Sequence, residues 1–235
     1  TKPASHHCLP QTTLRHTLAS RQKEGVPMTH PFPYGTRELD YLSQADADFA
    51  AVIAQCETQG FRPERPVDED AFQCLVRSIN DQLISLKAAA TIWGRLTQRF
   101  GNPVSAHALA QADPADIKAC GTTFKKAEYI HDIACKTIDG TLDLEALRHE
   151  PDEVVLSTLV GLRGIGRWTA EMLLIHCYER PDVISYGDAA IRRGLCTLKH
   201  IDPNGLTKRL FDQLTAPFHP YGTTASIYLW WLSKQ

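Results

Sequence analysis

Apolar residues recur along most of this chain at helical spacing. Phe72, Leu75, Val76, Ile79 and Leu83 follow the i, i+3, i+4, i+7 template. Phe124, Ala127, Ile130 and Ala134 repeat it in a segment that ends near Gly140, and another helix opens at Pro151 and runs through Val155 and Leu159. Asp113 before Pro114 reads as a cap followed by proline at the first helical position, and Gly121 stops that short helix. Helices also fit residues 39–59, 85–100, 167–179, 188–198, 206–214 and 220–233. No segment alternates clearly; "PDVISY" (181–186) is extended at most. The pattern predicts an all-α fold of about ten helices with short loops and no internal repeat.

Breakers and charge set the organisation. "GFRPERPVDED" (60–70) reads as a surface link. It suggests a two-lobed helical body over 39–235, with one lobe from roughly 70–185 and the other from 39–69 and 186–235. Residues 1–38 are polar, rich in Thr, Ser, His and Pro, and read as a loose, partly disordered arm without the apolar core of a signal peptide. No apolar run approaches the length of a membrane span. The seven cysteines are scattered without a C-x-x-C pair, which favours reduced thiols and excludes a closely spaced cage for zinc or an iron–sulfur cluster. A net charge of −2 argues mildly against a nucleic-acid partner, but the charge is uneven. Residues 38–70 hold nine acids and two arginines; residues 160–200 hold six Lys or Arg and four acids.

That second region contains "LVGLRGIGRWTAEMLL" (159–174). Gly161, Gly164 and Gly166 line a tight turn between two predicted helices. The first-turn amides of the second helix lack intrahelical partners and carry the positive end of the dipole, so the turn can bind an anion such as a DNA phosphate. Arg163 and Arg167 flank it. The alternative is a helix–helix turn that needs glycine for packing alone. Asp188, in "DVISYGDAAIRRGL" (182–195), follows Trp168 by twenty residues and also suits a helix N-cap.

These two stretches resemble the helix-hairpin-helix base-excision DNA glycosylases. Two more, "LVRSINDQLISLKAAATIWGRL" (75–96) and "HPYGTTASIYLWWL" (219–232), are similar to the AlkA/MAG-type 3-methyladenine branch, and the likeness spans roughly 39–233. The resemblance implies a cleft between the lobes, with Asp188 as the catalytic carboxylate at a base pocket walled by Trp168, Tyr221 and Met172. It implies phosphate contacts from Gly161, Arg163, Gly164, Ile165, Gly166, Arg167 and Thr169. A sodium or potassium ion would sit on the carbonyls of Val160, Leu162 and Ile165; no other cofactor is required. The partner would be double-stranded DNA carrying alkylated bases, and the protein a monomer of the nucleoid or nucleus. Where bifunctional relatives carry a Schiff-base lysine this chain has Trp168, which implies no lyase step. Leu83 falls on the wedge that fills the gap left by a flipped base, with Gln82 beside it, although Leu83 also continues the apolar stripe. Met172 and Asp81 depart from the common aromatic and glutamine of the branch. The residues before the first helix are too few for the N-terminal β domain of the larger enzymes. Two other readings stay open: a glycosylase for oxidised or mismatched bases, and a non-catalytic DNA-binding module.

Overall fold

The computed structural model describes residues 29–66 and 70–235. The predicted arm is therefore described only from residue 29, and most of it lies outside the described residues. The chain divides into two units. The first, as far as it is described, is a two-stranded antiparallel ribbon in which β1 (Thr29–Pro31) pairs with β2 (Glu64–Pro66), placing His30 opposite Arg65. Residues 29–31 of the expected arm and 64–66 of the expected link are thus strands. Both strands of such a ribbon are edges, so Pro31 and Pro66 are tolerated although neither donates.

The second unit is helical: α1 (Thr36–Ala45), α2 (Ala47–Thr58), α3 (Ala71–Asp81), α4 (Leu86–Phe100), α5 (Ala106–Ala110), α6 (Pro114–Ala119), α7 (Phe124–Ile138), α8 (Leu144–Leu147), α9 (Asp152–Val160), α10 (Arg167–His176), α11 (Ala189–Lys199), α12 (Lys208–Thr215) and α13 (Gly222–Leu232). The helix expected over 39–59 is two helices. Asp46 breaks it, with an extended backbone (φ −153°) and a side chain that accepts from Phe49 N at 3.0 Å as the cap of α2. No helix among the described residues is long and apolar enough to cross a membrane.

Two sets of apolar side chains hold the helices. Leu75, Val76 and Ile79 of α3 are fully buried, as are Ile130 and Ile133 of α7, Leu159 of α9 and Leu173 of α10; α3 packs on both α7 and α10. A second cluster joins Leu42, Phe49 and Ile53 of α1 and α2 to Ile191 and Leu195 of α11, Phe211 of α12, and Tyr228 and Leu229 of α13. Burying each such side chain stabilises the fold by roughly 1.5–3 kcal/mol. Within that cluster α11 approaches α13 so closely that a Cβ on Gly194 would lie 2.1 Å from the Leu229 carbonyl oxygen. The two packed helices bring Asp188, at the start of α11, beside the C-terminal half of α13.

Candidate active site

The turn between α9 and α10 is built around Gly164. Its φ of +85° is open to glycine at no steric cost. The space a Cβ would take is filled by the Tyr129 ring, 2.0 Å from that position. Ile165 is buried and its N–H bonds the Leu162 carbonyl at 3.2 Å. Gly166 caps α10 with no side-chain hydrogen bond and open space around its Cα, so the first-turn amides of α10 have no side-chain cap. Gly161 and Arg163 are exposed, and the Arg163 guanidinium lies 5.6 Å from the Tyr129 ring centre. Arg167 projects from the turn while bonding Glu171 at 2.8 Å. The Thr169 side chain is buried, and its hydroxyl accepts from Gln82 Nε2 at 3.2 Å.

In the first turn of α10, Trp168 donates its Nε1–H to Asp188 Oδ2 at 3.0 Å. Asp188 Oδ1 accepts from the amides of Ala190 (2.8 Å) and Ile191 (2.9 Å) and from Trp230 Nε1 (3.2 Å). Asp188 is thus the N-cap of α11 and a carboxylate gripped by two indoles, 9% exposed. The loop that delivers it is fixed from both sides. Ser185 Oγ donates to buried Glu171, and Asp182 accepts from Gly222 N at the start of α13. Trp230, besides bonding Asp188, stacks on His176 with 5.5 Å between centres. A contact between residues 42 apart has no local signature.

Trp168 lines a cavity of about 250 Å³ with Arg167, Glu171, Ile184, Tyr186, Gly187 and Lys208. Tyr186 and Lys208 were not singled out in the sequence, because nothing local marks a loop tyrosine or a helix-start lysine. Lys208 pairs with Asp212 and lies 5.8 Å from the Tyr186 ring centre. Neither Met172 nor Tyr221 lines this cavity. Met172 is buried within the packing of α10. Tyr221 precedes α13 and packs edge-on against Tyr41 at 5.1 Å. It stands about 13 Å along the helix from Trp230 at 1.5 Å per residue.

Leu83 leaves the apolar stripe. Helix α3 ends at Asp81, and Leu83 is fully exposed with φ +57°. A leucine in this left-handed region costs roughly 1–2 kcal/mol. Gln82 turns inward instead of outward, bonding Gly164 O at 3.0 Å as well as Thr169. Asp81 also turns inward, accepting from Asn80 Nδ2 at 2.9 Å, and burial pushes its carboxyl above the ordinary carboxylate value.

A family model described as HhH-GPD superfamily base excision DNA repair protein matches residues 76–220, which contain the turn, Trp168 and Asp188. The chain belongs to this superfamily. Among HhH-GPD relatives it is 31% identical to DNA-3-methyladenine glycosylase 1 of Schizosaccharomyces pombe over 205 residues, covering 85% of this chain and 88% of that one. Other relatives are longer: the chain spans 57% of DNA-3-methyladenine glycosylase 2 of Escherichia coli (28% identical, 69% of this chain) and 59% of Bacillus subtilis YfjP. The crystal structure of a DNA-3-methyladenine glycosidase from Bacillus halodurans superimposes with TM-score 0.72 at 29% identity, covering 88% of this chain and 92% of that one. The S. pombe Mag1 structure in complex with abasic DNA gives 0.75 at 28%, covering 85% and 98%. An 8-oxoguanine glycosylase/lyase from Clostridium acetobutylicum shares the fold at 17% identity (TM-score 0.71, covering 86% and 72%). The fold by itself therefore does not select the base.

Proposed function

We propose that this chain is a monofunctional DNA N-glycosylase that removes N-alkylated purines such as 3-methyladenine and 7-methylguanine from duplex DNA. The observation that carries the reading is Asp188, held by the Trp168 and Trp230 indoles next to a cavity that Trp168 itself lines. Cleaving the N-glycosidic bond sends the bonding pair to the base and leaves positive charge on the sugar. A fixed carboxylate stabilises that charge and orients the water whose oxygen then bonds to the sugar carbon, with the water proton released to a base. An alkylated purine is already cationic and departs neutral, so its departure needs no proton donor. The aromatic faces of Trp168 and Tyr186 attract such a cation.

Leu83 would occupy the gap left by the flipped nucleotide. The first-turn amides of α10, with Arg163 and Arg167, would hold a phosphate. The hairpin carbonyls of Val160, Leu162 and Ile165 are neutral oxygens of the kind a sodium or potassium ion takes. The Leu162 oxygen, which accepts from Ile165 N, keeps a second lone pair for it. Bound there, the ion would add positive charge beside the DNA backbone.

The test uses methylated duplex DNA. Free methylated base should appear, strands should break only after alkali, and borohydride should trap no protein–DNA adduct. No base release contradicts the glycosylase reading. A trapped adduct contradicts the monofunctional one, and Lys208 on the cavity wall is the amine to map first.

A further inference from the structure

The exposed leucine is held in its left-handed conformation by a device outside the site described so far. Helix α3 ends with carbonyls that no later residue of the helix can satisfy. Lys126, in the first turn of α7, reaches across and donates its Nζ to the carbonyls of Asn80 (2.9 Å) and Gln82 (2.6 Å). The Gln82 side chain is meanwhile tied to the hairpin through Gly164 O. Asn80, fully buried, bonds Ala89 O at 3.2 Å across the turn into α4. The residues immediately before Leu83 are thus tied to α7 through their backbone carbonyls, and to α4 and the glycine turn through the Asn80 and Gln82 side chains.

We propose that Lys126 is the positioning residue for the Leu83 wedge: its ammonium closes the C-terminal turn of α3 and so presents a leucine outward at a backbone angle leucine rarely adopts. This inference rests on the glycosylase reading above. Burial pulls the Lys126 ammonium below its ordinary value while the Asp81 carboxylate opposes that shift, as expected of a cation spent on internal carbonyls instead of on solvent. A side chain that preorganises the wedge lowers the cost of opening a duplex and matters little where the base is already unpaired.

The test is Lys126→Met, with Lys126→Arg as the conservative variant, in single-turnover excision from duplex and from single-stranded methylated DNA. Lys126→Met should slow duplex excision about tenfold or more and single-strand excision by less than about threefold, because only the former needs the gap held open. Lys126→Arg, which can still donate to both carbonyls, should recover part of the duplex rate. The double variant Lys126→Met/Leu83→Ala should be no slower on duplex than Leu83→Ala alone, since the two act as one unit. A 2-aminopurine next to an abasic-site analogue gives a second readout that needs no catalysis, its fluorescence rising less with Lys126→Met than with wild type. If Lys126→Met fails to fold, Lys126→Gln takes its place in every arm. Equal losses on both substrates, or additive losses in the double variant, overturn the positioning role. Wild-type protein that releases no base overturns the glycosylase reading instead, while the fluorescence arm still reports on Lys126.

Discussion

At the scale of single residues, Leu83 is the clearest case of a side chain placed against its own stability. It buries nothing and occupies a backbone region that disfavours it. Leu83→Ala should therefore change stability by less than about 0.5 kcal/mol, as exposed substitutions do. Leu83→Gly should melt no lower than wild type, because it relieves the left-handed strain. Both should slow excision from duplex DNA more than from single strands, where unstacking costs less. Thermal melts alongside rates on both substrates check this; a strongly destabilised Leu83→Ala with no duplex-specific defect would return Leu83 to the core. In the sequence Leu83 also continued the Phe72–Ile79 stripe, although the resemblance placed it as the wedge. The helix ends at Asp81, where Gln82 and Lys126 hold the turn, and no periodicity records a hydrogen bond from 44 residues away. The capping role of Asp188 was legible because an aspartate just ahead of an apolar-periodic run is a local signal. Trp230 was not, because its partner lies on another helix.

At the scale of elements, Gly164 and Gly166 of the hairpin turn do different work. Gly164→Ala would push a methyl into the Tyr129 ring at a φ that alanine disfavours. It should cost about 2–4 kcal/mol of stability from overpacking and strain together. Gly166→Ala meets no atom within 4 Å and keeps an ordinary φ of −90°. That variant should fold normally and still bind duplex DNA about tenfold more weakly, because its methyl stands where a phosphate approaches the α10 amides. Calorimetry and salt-controlled binding separate the two; unchanged affinity in Gly166→Ala would make the turn a packing device only. Element boundaries were readable wherever a cap was explicit, as at Asp113–Pro114, which opens α6. They failed where a polar residue changed the backbone in mid-pattern, as at Asp46. The β1–β2 ribbon was invisible because "THP" and "ERP" carry neither alternation nor β-branched bulk beyond one threonine.

At the scale of the whole molecule, α2 and α11 are joined by an ion cluster: Lys199 pairs with Asp46 and, at 2.9 Å, with Asp48. The bond and charge of Lys199 hold the Asp48 carboxyl below its ordinary 3.8. Burial alone would lower Lys199, but bonds to Asp46 and Asp48 outweigh it and raise the ammonium above 10.5. The Asp48 contribution is present above 3.8 and is lost as pH falls through the depressed folded value; the Lys199 contribution is present below 10.5 and is lost as pH rises through the raised one. Lys199→Met should therefore melt below wild type across the neutral range, and the gap should close in strong acid and strong alkali. A gap independent of pH would contradict the ion cluster as its source. The central claim is that Asp188 carries the chemistry, and its most direct test is single-turnover base release by Asp188→Asn on methylated duplex DNA, with affinity for the same duplex measured in parallel. The account predicts a fall of about a hundredfold or more, the scale for losing a preorganised charge, with binding largely retained. Base release near the wild-type rate by a folded, DNA-binding Asp188→Asn would contradict it.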